Sequence, residues 1–199
     1  WTPSLGAVYL EDHQHDVAER TKKLAESVGL REEFTQDIIF AAEHHDDGKA
    51  DSRFQTMLGG THSDKPLAKS AVRTRQEIWV SRQRSGMPAG WRHEQMSVAL
   101  VATNRASGEL ECSDLALRII GCSHGHGRNS FQHTDQTLIG ENTNHPQQEM
   151  LYQQAHELFL TGHWDEIIEN TDREYGPYAT AYLEALERAA DAQISREGH

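Results

Sequence analysis

The run Glu43-His44-His45-Asp46-Asp47-Gly48-Lys49 places an adjacent His-Asp pair at the end of a helical pattern. An imidazole and a carboxylate fixed side by side at a helix end form a metal-binding element. Four further points offer the same ligand types at the starts or ends of helical patterns: His13, His93, His124 and Asp191. A divalent cation held by mixed imidazole and carboxylate ligands suits hydrolysis. It lowers the pKa of a bound water and neutralises charge developing on a phosphate. Taken singly, each of these histidines is better read as a helix cap or a satisfied core residue. Five points in this order argue instead for one shared site. Lys49, just past the helix end, also suits the negative end of the helix dipole. Ser195 lies one turn beyond Asp191 on the same helical face.

Composition limits what such a site could serve. The 199 residues suffice for one domain with a single core, and the formal charge is −12. That charge argues against tight, autonomous duplex binding, so any nucleic acid is expected to be gripped elsewhere. Thirteen histidines are many, and several adjoin carboxylates, which suits a divalent cation. Six of them, His15, His62, His133, His145, His156 and His163, are expected to be ordinary polar residues. Cys112 and Cys122 are too few for a disulfide framework and are read as reduced thiols. No apolar run approaches the roughly 18 residues that span a bilayer, and the beginning of the chain lacks a basic-then-apolar signal pattern. No membrane partner and a cytoplasmic location are therefore expected.

The elements that must position these side chains read as helices. From about Asp12 to Val28, Val17, Thr21, Leu24, Ala25 and Val28 share one face, and Gly29 ends the pattern. From Glu32 to about His45, Phe34, Ile38, Ile39, Ala41 and Ala42 form a second apolar helix. A short turn holds Phe54, Met57 and Leu58, and Leu67 to Arg84 reads as a long, mostly polar helix. Past the break at 86–90, Trp91, Met96, Leu100 and Val101 give a helix with His93 in its first turn. Ser113 to Cys122 follows as a buried helix, then a glycine-rich stretch and a polar loop from Asn129 to Gln147. Two last helices are expected over Met150–Leu160 and about Tyr178–Ile194. With no convincing strands, the fold class is all-α. Phe54 and Trp91 are expected in the core rather than stacked on bases.

Together the motifs resemble the HD superfamily of metal-dependent phosphohydrolases, named for a His…His-Asp…Asp arrangement. Asp12-His13 with Val17-Ala18, His45-Asp46-Asp47-Gly48-Lys49 with Arg53-Phe54-Gln55, Arg92-His93-Glu94, and His124-Gly125 with Arg128 resemble one branch. That branch is the HD nuclease domain of the helicase-nuclease of type I CRISPR systems. The tail from Tyr175-Gly176 through Ala181-Tyr182-Leu183-Glu184-Ala185 to Asp191 and Ser195, with Leu67-Ala68-Lys69-Ser70, resembles its I-G (formerly I-U) subtype.

The resemblance implies a helical bundle with a metal site between helix ends, and a single HD domain over 1–199 from the C-terminal end of a longer helicase-nuclease. It implies one ion on His13, His45, Asp46 and Asp191, and a second on Asp46, His93 and a paired-histidine element. Here Ser123 takes the first position of that pair and leaves His124, so water or His126 would complete the second site. One or two divalent ions, Mn, Co, Ni, Fe or Mg, are implied. Asp46 and Lys49 are the implied catalytic residues, with Arg128 and Ser195 as phosphate-binding candidates. The implied activity is metal-dependent hydrolysis of single-stranded DNA in CRISPR interference, alongside the helicase portion and the surveillance complex. A nucleotide phosphohydrolase and a metal-stabilised interaction module are the alternatives.

Overall fold

The structure, a computed structural model, describes residues 6–60, 65–71, 73–129, 131–140 and 146–198. His62 and His145 lie outside them. Among the described residues the chain forms ten α-helices and one small antiparallel sheet. None of the helices is long and apolar enough to cross a membrane.

Helices α1 (Leu10–Ser27), α2 (Glu32–His44) and α10 (Pro177–Glu197) pack against one another. Val17, Ala18, Ala42, Ala190 and Ile194 form the apolar cluster between them. Three of these are alanines, whose small side chains let helix backbones approach closely. Each lies near a candidate ligand: Ala18 five residues after His13, Ala42 three residues before His45, Ala190 beside Asp191. Close packing at this crossing therefore draws three helices' ligands to one point.

A second layer is built on α5 (His93–Ser107) and α6 (Asp114–Cys122), both mostly buried. Helix α2 rests on α6, and α6 packs on α9 (His163–Tyr175), whose Trp164 is buried. Gly121 makes that contact possible, since a Cβ there would lie 2.4 Å from the Trp164 ring. Arg118, buried on α6, donates to Glu184 of α10 at 2.9 Å and to Asp172 of α9 at 2.6 Å, tying three helices together. Helices α7 (Asp135–Ile139) and α8 (Gln148–Phe159) close a smaller cluster around Trp91, Met96, Leu138 and Leu151. Trp91 is core, as expected, with its Nε1 donating to Leu138 O. Phe54, on α3 (Ser52–Leu58), is only half-buried.

Four expectations need correction. The span 67–84 is not one helix: Leu67–Lys69 forms β2, paired with β1 (Val8–Tyr9), and α4 runs Arg75–Ser85 from a Thr74–Glu77 capping box. Strands were not expected, and this pair forms between segments distant in sequence. The polar stretch 129–147 contains α7, whose Leu138 and Ile139 are buried. Helix α9 was not anticipated between the last two helices.

Candidate metal centre

Five elements supply the site. His13 comes from the first turn of α1, His45 and Asp46 from the end of α2, His93 from the start of α5, His124 from the turn after α6, and Asp191 from α10. A 3₁₀ turn, Asp47–Ala50, carries Lys49 beneath them.

Two groups of ligand atoms converge. His13, His45 and Asp191 form one, and Asp46, His93 and His124 the other, each with its atoms within 4.8 Å of one another. Asp46 stands between them. Its Oδ2 lies 3.7 Å from His13 Nε2 and 3.4 Å from His45 Nε2, and its Oδ1 lies 3.2 Å from His93 Nε2. His13 Nε2 is 3.2 Å from Asp191 Oδ1, and the Nε2 atoms of His93 and His124 are 2.9 Å apart.

His13, His45 and Asp46 are buried, yet His13 Nε2, His45 Nε2 and Asp46 Oδ1 make no hydrogen bond. Buried polar atoms are nearly always paired, so lone pairs left open around one point fit a cation. The donor set of imidazole nitrogens and carboxylate oxygens suits a divalent transition metal. His45 Nδ1 is held by Ala42 O at 2.8 Å, which fixes the ring and leaves Nε2 facing the site.

Electrostatics agree with this arrangement. Burial alone would raise the Asp46 carboxyl, but the neighbouring His45 and Lys49 charges and the contact with His93 hold it well below the usual carboxylate range. Burial likewise opposes ionisation of Asp191, and His13 and His45 overcome it. Burial, reinforced by His93, pushes His124 down to about 4, which keeps its imidazole neutral near pH 7 and available as a ligand.

Ser97 of α5 joins the two halves of the site. Its Oγ accepts from Gly48 N at 2.8 Å, and its proton is shared between His45 O at 2.8 Å and His93 O at 3.0 Å. Gly48 is required at this crossing, because a Cβ there would meet His93 O at 2.1 Å.

The remaining named residues fall into place around the ligands. Lys49 Nζ donates to Asp46 Oδ2 at 2.5 Å. Ser195 Oγ donates to Asp191 Oδ1 at 3.0 Å and accepts from Lys69 Nζ at 2.9 Å, so it buttresses a ligand. Arg128 Nε donates to Glu184 Oε2 at 2.6 Å, which commits part of its guanidinium to the buried Arg118 cluster. Ser123 is buried with an unpaired Oγ, and His126 is exposed and outside both ligand groups. Of the six histidines set aside, His156 and His163 bond Asp135 and Glu166, His15 is exposed, and His133 O accepts from Gln95.

Sequence reasoning assigned no role to two buried carboxylates, Glu94 and Glu187. Both oxygens of Glu94 and of Glu187 lack hydrogen bonds. Glu94 Oε2 lies 3.6 Å from His93 Nδ1, and Glu187 Oε1 lies 3.9 Å from His45 Nδ1. Burial pushes Glu187 up to about 7. Its position four residues before Asp191, on the same face of α10, was a readable signal.

No match was found among curated proteins or solved structures. A family model described as Cas3, HD domain, matches residues 5–195, a span that takes in every ligand position of the centre. On that match the chain belongs to the Cas3 HD-domain family, the metal-dependent phosphohydrolases and nucleases of CRISPR systems.

Proposed function

We propose that this chain is a nuclease that hydrolyses phosphodiester bonds of single-stranded DNA in type I CRISPR interference. In this reading it is the I-G form, working as the HD domain of a longer helicase-nuclease whose helicase portion and surveillance complex deliver the strand. The observation that carries it is the placement of Asp46 between two groups of converging ligand atoms, with the buried His13 Nε2, His45 Nε2 and Asp46 Oδ1 lacking hydrogen bonds.

His13, His45, Asp46 and Asp191 would hold one ion, and Asp46, His93 and His124 a second. Bound cations of this kind acidify water and neutralise charge on the phosphate. The chain's own groups do the positioning. Ala42 O fixes the tautomer of His45, Ser97 locks the His45 and His93 segments in register, and Ser195 orients Asp191. Lys49 holds Asp46 and brings a positive charge within reach of a phosphate at the same carboxylate. Three protein ligands at the second ion leave room for water or substrate, so Ser123 in place of a histidine is compatible with turnover.

His45→Ala or Asp46→Ala is expected to abolish cleavage of a single-stranded oligonucleotide while the helical circular dichroism spectrum persists. Undiminished cleavage by the purified, metal-loaded double variant would sink the reading.

A further inference from the structure

The acidic charge of this chain is unevenly distributed. Residues 73–92 hold five arginines, Arg73, Arg75, Arg82, Arg84 and Arg92, against one carboxylate, Glu77. Arg73 is structural, its Nη1 donating to Met57 O at 3.0 Å and so tying α4 to α3. On α4, Arg75, Trp79 and Arg82 follow one another at helical spacing along a single exposed stripe, with Trp79 63% exposed. The stripe leads to a cleft of about 680 Å³ lined by Phe54, Met57, Arg82, Met87, Trp91 and Arg92. The cleft adjoins the metal centre through Phe54, which lines it and whose ring packs 5.6 Å from the ring of His93.

We infer that this stripe and cleft form the binding groove for the single strand, with Arg82 and Arg92 on backbone phosphates, Trp79 stacked on a base, and the strand ending at the metal centre. The inference rests on the nuclease reading above for the direction of the strand. Arginines interleaved with an exposed aromatic suit an unpaired strand, whose bases present their faces and whose phosphates lie along one edge. The cleft has the size of a small-molecule site, enough for one nucleotide beside the ligands. The expectation that the strand is gripped wholly outside this domain came from the net charge, which hides a locally cationic surface.

The test uses the full 199-residue chain without metal and a fluorescein-labelled oligothymidylate of about 15 nucleotides, a length within the usual single-strand site sizes. Anisotropy is followed across a salt series, and circular dichroism checks each variant's fold. Arg82→Glu with Arg92→Glu is expected to weaken binding at least about tenfold. It should also make the slope of log K against log salt shallower by about 1.4, as for two lost phosphate contacts. Trp79→Ala, a surface change, is expected to weaken binding about fivefold or more with the slope unchanged, because stacking releases no counterions.

Wild-type affinity in both variants would overturn the proposal, as would absence of oligonucleotide binding by the wild-type chain; the stripe would then face an acidic protein surface. Turnover of bis(p-nitrophenyl) phosphate by the metal-loaded wild-type chain reads the nuclease chemistry separately. Turnover without strand binding overturns the groove alone. Strand binding lost in the variants, without any turnover, upholds the groove and contradicts the nuclease reading.

Discussion

The Nε2 atoms of His93 and His124 face each other at 2.9 Å, with Asp46 Oδ1 3.2 Å from the first of them. Two imidazole nitrogens at that separation must share either a proton or a cation between their lone pairs. A divalent ion can replace the proton and gain the carboxylate as well. Mn²⁺ at about one hundred times its dissociation constant should therefore stabilise the fold by about 2.7 kcal/mol. For a domain of this size that is a rise in Tm of about 5–10 °C, read by differential scanning fluorimetry. An unchanged Tm at millimolar Mn²⁺, Co²⁺ and Ni²⁺ would contradict it.

Ser97 is expected to matter to both stability and metal response. Ser97→Ala leaves Gly48 N without its acceptor and removes the donor to the His45 and His93 carbonyls. An unsatisfied buried group costs about 1–3 kcal/mol, or a fall in Tm of roughly 2–12 °C. The metal-induced rise should shrink as well, because the two ligand segments lose their common tie. Wild-type Tm and wild-type metal response together would show that the hydroxyl positions nothing.

Glu184 holds both Arg118 and Arg128. Glu184→Ala leaves the buried Arg118 guanidinium with Asp172 as its one carboxylate partner, beside the neutral Thr171 Oγ1 and Ile168 O. Breaking a buried ion pair from one side costs about 3–5 kcal/mol, so chemical denaturation should show a loss of that order. A change below about 1 kcal/mol, the usual range of surface pairs, would mean that the cluster is solvated.

Asp37 gives a pH dependence remote from the metal ligands. Burial raises its carboxyl above the ordinary 3.8, although the hydrogen bond from Ser113 Oγ, 2.7 Å away, works in the opposite direction. A carboxyl raised in the folded state contributes stability below 3.8 that is lost as pH rises through its folded value. Asp37→Asn keeps the acceptor for Ser113 and removes the ionisation, so the variant should gain in Tm relative to wild type as pH rises from 3 to 7. A constant difference across that range would contradict the assignment.

Much of the site was legible in the sequence because its ligands occupy helix ends in short motifs. His13, His45, Asp46, His93, His124 and Asp191 all converge in the structure. The supporting residues were less visible. Ser97 acts through backbone groups of two other segments, which no local spacing announces. Lys69 reaches Ser195 only because β2 pairs with β1, a contact between segments 58 or more residues apart. Helix α7 has five residues, too few for a period to show. Helix α9 is a different case: Trp164, Ile167, Ile168 and Thr171 have the spacing of a buried face, and the pattern was readable amid its charges.

The most direct test of the central claim is anomalous scattering from a crystal of this chain soaked in Mn²⁺. The account predicts a peak coordinated by His13, His45, Asp46 and Asp191, and a second on Asp46, His93 and His124, with Asp46 shared. Full soaking with no peak at Asp46, or with manganese bound only elsewhere, would contradict it.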